Sequence, residues 1–414
     1  MRRRLLIDLT PLRTSRDFRM LFFGQSVSMV GTQFTVVALA YQVYSLTGSS
    51  LQVGAVSLAQ LVPFVAGTLA GGAIGDAFDR RRAMVGTSVL LAFTSTGLAL
   101  NAAVGPNASV LAIYLITAFA AGLSGVISTA ATAAVPSFVA NELLTPAYAT
   151  MQVIDQVGMV LGPALSGLVI AVVGLSWLYG IDALTFVWSA TIMWRMSRAE
   201  PGSARSFARL GLRSMLEGLG YVRTRQALQG AYLLDLCATV FGLPRALFPA
   251  LVHTVYHRGP GVLGLLYAAP AAGALVGSLA SGWLSAVRRQ GRAVVIAVTA
   301  WGAVIIVFGF VHALWAALAL LVLAGWIDLV SAVLRSTIVQ SVTTESYRSR
   351  VSALQMAVVE GGPRLGDLES GAVASATSTQ FSIVSGGAVC MIGALVLAAL
   401  LPGFRRYERG SDKA

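Results

Sequence analysis

Apolar stretches of roughly twenty residues follow one another from Met20 to Pro402, separated by short polar connectors. They fall near 20–45, 51–75, 83–104, 110–135, 148–173, 177–197, 227–254, 261–287, 293–312, 314–340, 351–374 and 380–402. These lengths suit α-helices crossing a hydrocarbon core about 30 Å thick, whereas barrel strands would be about 10 residues of alternating polarity. The pattern predicts an all-α integral membrane protein with twelve transmembrane helices, called here spans one to twelve.

The pattern also repeats. Gly67, Gly71 and Gly75 recur every four residues at the end of span two, which puts them on one helix face and lets a neighbouring backbone approach closely. At a constant offset of 210, residues 264–292 repeat this region: Gly54 meets Gly264, Gly67 meets Gly277, Gly72 meets Gly282 and Arg82 meets Arg292. Ala121-Gly122 in span four matches Ala324-Gly325 in span ten at an offset of 203. Two pseudo-symmetric six-helix halves are expected, 1–197 and 227–414, joined by a cytoplasmic linker over 198–226. Leu210, Met215, Leu216, Leu219 and Val222 are spaced to make part of that linker an amphipathic helix. The halves differ in chemistry, because Asp76 corresponds to Ala286 and Arg80 to Gln290.

Composition agrees with the pattern. With 56% apolar and 11% charged residues, the chain is unlike a soluble domain, which averages about 25% charged. The net charge of +12 does not point to nucleic acid, since the Arg residues sit between apolar spans rather than on one folded face. The partner they imply is the lipid bilayer. Alternate connectors hold Arg2 to Arg19, Arg80 to Arg82, Arg198 to Arg225, Arg288 to Arg292, Arg348 with Arg350, and Arg405 to Lys413; the other set carries only Arg258. By the positive-inside rule both termini and the middle loop are expected in the cytoplasm. Asp8, Pro11, Arg13, Arg16 and Asp17 interrupt any signal-peptide core after Arg2, Arg3 and Arg4, so no cleaved signal is expected. Cys237 and Cys390 lie inside apolar spans and His253, His257 and His312 near span ends, so neither a metal nor another cofactor is expected.

Charges inside spans are costly and mark a candidate pathway for substrate or protons. Asp235 and Arg245 fall in span seven, Asp328 and Arg335 in span ten, and Glu360, Arg364, Asp367 and Glu369 in span eleven. Gly361, Gly362 and Pro363 suggest that span eleven is interrupted mid-membrane and lines a cavity; the alternative is an internal Glu360–Arg364 pair holding a bend. Asp155 and Asp182 are weaker candidates, because their positions also suit an interface. Span one has no acid, so a coupling proton must be carried elsewhere.

The turn Gly72-Ala73-Ile74-Gly75-Asp76 with Arg80-Arg81 resembles the signature loop between the second and third helices of the major facilitator superfamily, with Ala77 and Asp79 departing from its pattern. The resemblance implies a cytoplasmic gate made by Gly72, Asp76, Arg80 and Arg81, in which Asp76 meets the start of span eleven. Gly158, Gly162, Pro163 and Gly167 in span five resemble the antiporter motif of drug-proton exporters, which implies export. More narrowly, the chain is similar to the bacterial enterobactin exporter branch. That likeness is carried by Leu12-Arg13-Thr14, Phe18-Arg19, Leu111 to Leu115, Phe248 to Leu251, Gly264 to Ala269, Gly325-Trp326 and Ser331 to Val333.

The expected function is proton-driven export of a small molecule from a bacterial cell across its inner membrane, by a monomer, with a siderophore as cargo. An antibiotic or lipophilic drug is the alternative cargo, and a membrane sensor or scaffold built on a transporter fold is the alternative class. An enzyme is not expected, because no nucleophile–base set, metal spacing or phosphate-binding loop is visible.

Overall fold

Inside a bilayer no water is available to backbone N–H and C=O groups, so a spanning segment must satisfy them itself, and a helix does so residue by residue. The computed structural model describes residues 9–77, 79–197 and 212–408, without the side chains of 72–77, 212–216, 349 and 353. Among the described residues every regular element is helical. Span one is Arg16–Thr47, span three Arg80–Ala103, span four Val110–Phe138, span five Leu144–Val173 and span six Leu175–Trp194. Span eight is Pro260–Leu279, span nine Gln290–Phe310, span ten Leu314–Val342, span eleven Arg348–Ala376 and span twelve Thr379–Leu400. Ten helical stretches among the described residues are long and apolar enough to cross a membrane. The other two, spans six and eleven, have 20 and 29 residues and so reach about 30 Å or more, but they carry the buried acids Asp182 and Asp367. The count of twelve is consistent with this.

Three expectations need correction. Span eleven is not interrupted: the helix runs through Gly361, Gly362 and Pro363 from Arg348 to Ala376. The break lies in span seven, whose helices Gln226–Phe241 and Phe248–Thr254 are separated by Gly242-Leu243-Pro244 and one short turn, Arg245–Leu247. The residue before a proline is pushed out of the helical region, and proline brings no donor, so the chain turns there. Span eight ends at Leu279, not 287, and gives way to a 3-10 turn over Ser281–Ala286. Span two is also in two pieces, Ser50–Ala59 and Leu61–Ala77. The linker does hold a helix, Leu212–Arg223, with Val222 buried.

Contacts divide the chain into two units, Met1–Gln42 with Ala59–Arg209, and Val43–Leu58 with Leu210–Ala414. In the first unit the glycine face of span two meets span four: Gly67 lies against the backbone of Gly122, Gly71 against Val126, and Gly125 against Phe64 O. Lipid tails are as apolar as leucine, so close van der Waals packing, not hydrophobic burial, holds such a pair together. Phe18, Leu21, Met84, Ala134, Val135 and Met193 are fully buried where spans one, three, four and six converge. The second unit repeats the device, with Gly273 on span eight against Val322 O and Gly325 on span ten against Pro270 O. Spans nine and twelve close on each other at Gly302 and Gly387.

Candidate functional site

Span three begins with its own cap. Asp79 accepts from the Arg81 backbone N–H at 3.0 Å, filling one of the donors that a helix start leaves open. Arg80 is buried and donates to Ala133 O on span four, while Arg81 donates to Trp194 O and lies 5.3 Å from the centre of the Trp194 ring. The two arginines thus tie the start of span three to spans four and six. Of the expected gate, Arg80 and Arg81 are described, whereas the side chain of Asp76 and the surroundings of Gly72 lie outside the described residues.

On span five, Gly158, Gly162, Pro163 and Gly167 are all buried. Their described contacts go to span one. Gly158 would bring a Cβ 3.2 Å from Met29, Gly162 sits against Gln33, and Ser166 Oγ donates to Phe34 O at 3.1 Å. The glycines remove the bulk that would hold the two helices apart, and the helix continues through Pro163.

Among the described residues, charge on spans seven, ten and eleven pairs at three places. Arg335 on span ten donates to Asp235 Oδ1 on span seven at 2.7 Å and to Ser331 Oγ at 2.6 Å. Asp328, two turns earlier on the same face of span ten, stands 4.0 Å from the same guanidinium with 42% of its side chain exposed. One cation is therefore shared unequally by two acids. Asp235 is buried and tightly held; Asp328 is looser and open.

The second place is the break in span seven. Its freed backbone groups find partners on other spans, as they must within the membrane. Trp301 Nε1 of span nine donates to Gly242 O at 2.7 Å, and Tyr267 Oη of span eight donates to Arg245 O at 3.0 Å. The turn aims Arg245 at Asp367 on span eleven, where the pair closes at 3.3 Å. The third place is local: Arg364 donates to Glu360 Oε2 at 2.9 Å and to Glu360 O at 2.7 Å, one turn apart on span eleven. The five candidate pathway residues are thus not one cluster. Asp235 and Asp328 share Arg335, Arg245 pairs with Asp367, and Glu360 pairs with Arg364.

Asp182 stands apart from these pairs. It is 1% exposed, accepting at Oδ2 from Thr35 and Ser95, both at 2.7 Å. Periodicity could not show this, because it takes hydroxyls from spans one and three to make the place. Arg335 and Asp367 were visible as in-span charges, but their partners were not.

A family model described as transmembrane secretion effector matches residues 7–410. An enterobactin exporter, EntS, of Citrobacter koseri is 31% identical over 407 residues, covering 98% of this chain and 96% of that one. EntS of Escherichia coli O1:K1 / APEC is 30% identical with the same coverage. Among solved structures, the nucleoside transporter NupG superposes with a TM-score of 0.75 at 12% identity, covering 92% of this chain and 99% of that one. A bacterial homologue of the lysosomal transporter Spinster, inward-facing, gives 0.68 at 14% identity, covering 94% and 95%. At those identities the structures speak for the fold alone. Twelve predicted helices in repeated halves, the glycine faces and a likeness running almost the whole length converge: the chain belongs to the transmembrane secretion effector family of the major facilitator superfamily, in the branch of the enterobactin exporters.

Proposed function

We propose that this protein is a secondary active exporter that moves a siderophore of the enterobactin type out of a bacterial cell by antiport with protons. It works in the inner membrane, with both termini and the linker between the halves 1–197 and 227–414 in the cytoplasm. The cargo is supported by the near full-length similarity to exporters named for enterobactin. Proton coupling rests on one observation, the sharing of Arg335 between Asp235 and Asp328. With two carboxylates and one guanidinium, the group carries a surplus acid that a proton can neutralise and leave again. Gly72, Asp76, Arg80 and Arg81 close the cytoplasmic side, and Gly158, Gly162, Pro163 and Gly167 let spans one and five move as a packed pair.

Export of a drug is the second reading, and a specific observation favours it. Arg245, Arg335 and Arg364 each already have an acid within 4.0 Å, so an anionic cargo must displace a carboxylate, whereas a cationic one meets Asp328, the partly exposed acid held by Arg335 only at 4.0 Å. Purified protein in proteoliposomes, given an imposed pH gradient, decides between them. Gradient-dependent movement of a catechol siderophore, abolished by an uncoupler, supports the proposal. Movement of a cationic dye but not the siderophore replaces the cargo. Transport of either that ignores the gradient and the uncoupler removes the proton.

A further inference from the structure

The first unit contains a carboxylate that the proposed cycle does not use. Asp182 on span six is 1% exposed, and none of the ion pairs found among the described residues includes it. From Ala83 to Trp194 the sequence holds no Lys, Arg or His, and from Met20 to Asp79 none either. Spans one, three and five pack around span six. The first two contribute no charged side chain between Met20 and Thr47 or between Ala83 and Ala103, with Tyr41 and Tyr44 as the titratable groups of span one. Span five contributes Asp155, which is half-buried, and Tyr148; span six itself contributes Tyr179. An ionised carboxylate in such a place is far too costly to stay unneutralised.

The geometry shows what can neutralise it. Oδ2 is already taken by the hydroxyls of Thr35 and Ser95. Oδ1 is buried and has no hydrogen-bond partner. It faces the bare Cα of Gly31 together with Thr185 Oγ1, whose own hydrogen goes to Asp182 O at 2.7 Å. Thr185 Oγ1 is thus a third hydroxyl beside the carboxyl, able to donate to the carboxylate or to accept from the acid. That single extra oxygen is too few for a metal ion, which takes several, but it suffices for a proton.

A polar line leads from span six, one turn before the site, to one end of the unit. Tyr179, one turn before Asp182, donates to Gln42 Oε1 at 2.9 Å; Gln42 Nε2 donates to Asn101 Oδ1 at 3.4 Å; and Asn101 Nδ2 donates to Ser109 O at 3.2 Å, at the exposed connector between spans three and four. By the positive-inside argument that connector faces outward, the side from which protons enter.

We infer that Asp182 is a second proton-binding site, held as the neutral acid between Thr35, Ser95 and Thr185 and loaded from the outer end of the first unit. The inference deepens the antiport reading and rests on it for its transport consequence only. Infrared difference spectra of purified protein, taken across a pH series, test it directly. Wild type should show the carbonyl stretch of a dry protonated carboxylic acid, Asp182→Asn should lack it, and in Ser95→Ala, which has lost a donor to the charged form, it should persist to more alkaline pH. In proteoliposomes Asp182→Asn, at normal abundance and melting temperature, should lose pH-driven accumulation of cargo. A spectrum unchanged by Asp182→Asn overturns the site, as does a Ser95→Ala spectrum with the wild-type pH dependence, which decides alone should Asp182→Asn fail to insert. Gradient-driven accumulation by Asp182→Asn equal to wild type overturns its coupling. Should wild type itself ignore the gradient, the antiport reading fails, and the spectra still decide whether Asp182 binds a proton.

Discussion

Arg335 Nη2 lies 2.7 Å from Asp235 Oδ1, joining spans seven and ten across 100 residues of chain, with 9% and 11% of the two side chains exposed. Removing one member of such a pair strands the other. Arg335→Gln is therefore expected to cost about 3–5 kcal/mol in stability. The double variant Asp235→Asn/Arg335→Gln should recover part of that loss, because the buried Asp235 charge goes with its cation and the partly exposed Asp328 is the one acid left without Arg335. Melting in detergent, with membrane abundance alongside, checks both. Equal loss in the single and the double variant would mean that the pair is not what holds these spans.

Asp328 shares the same guanidinium at 4.0 Å and is the more open acid. Asp328→Asn should insert normally and lose gradient-driven export, since the surplus carboxylate is gone. Glu360→Gln should be milder, because Glu360 already serves Arg364 one turn away. Initial rates of transport with and without a pH gradient compare the two. A reversed order would move the coupling acid to span eleven.

Close helix contacts in each half depend on single glycines. Gly67→Val and Gly325→Val should both lower membrane abundance strongly, because the new side chain meets the backbone of Gly122 or of Pro270, which cannot give way. Gly86→Ala, on the open side of span three with nothing within 4 Å, should be neutral. Quantified abundance of the three variants, tagged identically, is the measurement.

The linker helix Leu212–Arg223 is clasped to the ends of spans ten and eleven. Tyr221 stacks on Tyr347 with ring centres 4.3 Å apart and bonds the Val342–Thr344 backbone, and Arg350 meets Glu217 at 3.1 Å. Tyr221→Ala should free this helix, at a cost of about 0.5–1.5 kcal/mol for the stack. Limited proteolysis should then cut near residues 212–223 faster than in wild type. The pair Arg289–Glu408, exposed at 66% and 53%, should by contrast be worth under about 1 kcal/mol, as the melting of Glu408→Gln would show.

By itself the sequence determined the membrane class, the helical spans and the repeat, because each rests on local properties. A run of about twenty apolar residues in lipid has one solution, a helix, and a glycine every fourth residue marks one face whatever it meets. It also showed which residues carry charge within the spans. Only the tertiary structure decided their partners. Nothing near Arg335 in the chain names Asp235, and nothing near Asp182 names Thr35 and Ser95. The break was misplaced for the same reason. Gly361-Gly362-Pro363 and Gly242-Leu243-Pro244 look alike as sequence, yet the first stays helical while the second opens where Trp301 and Tyr267, from other spans, take up its carbonyls. Whether a proline interrupts a membrane helix depends on which neighbour can satisfy the freed backbone, and the fold alone supplies that neighbour.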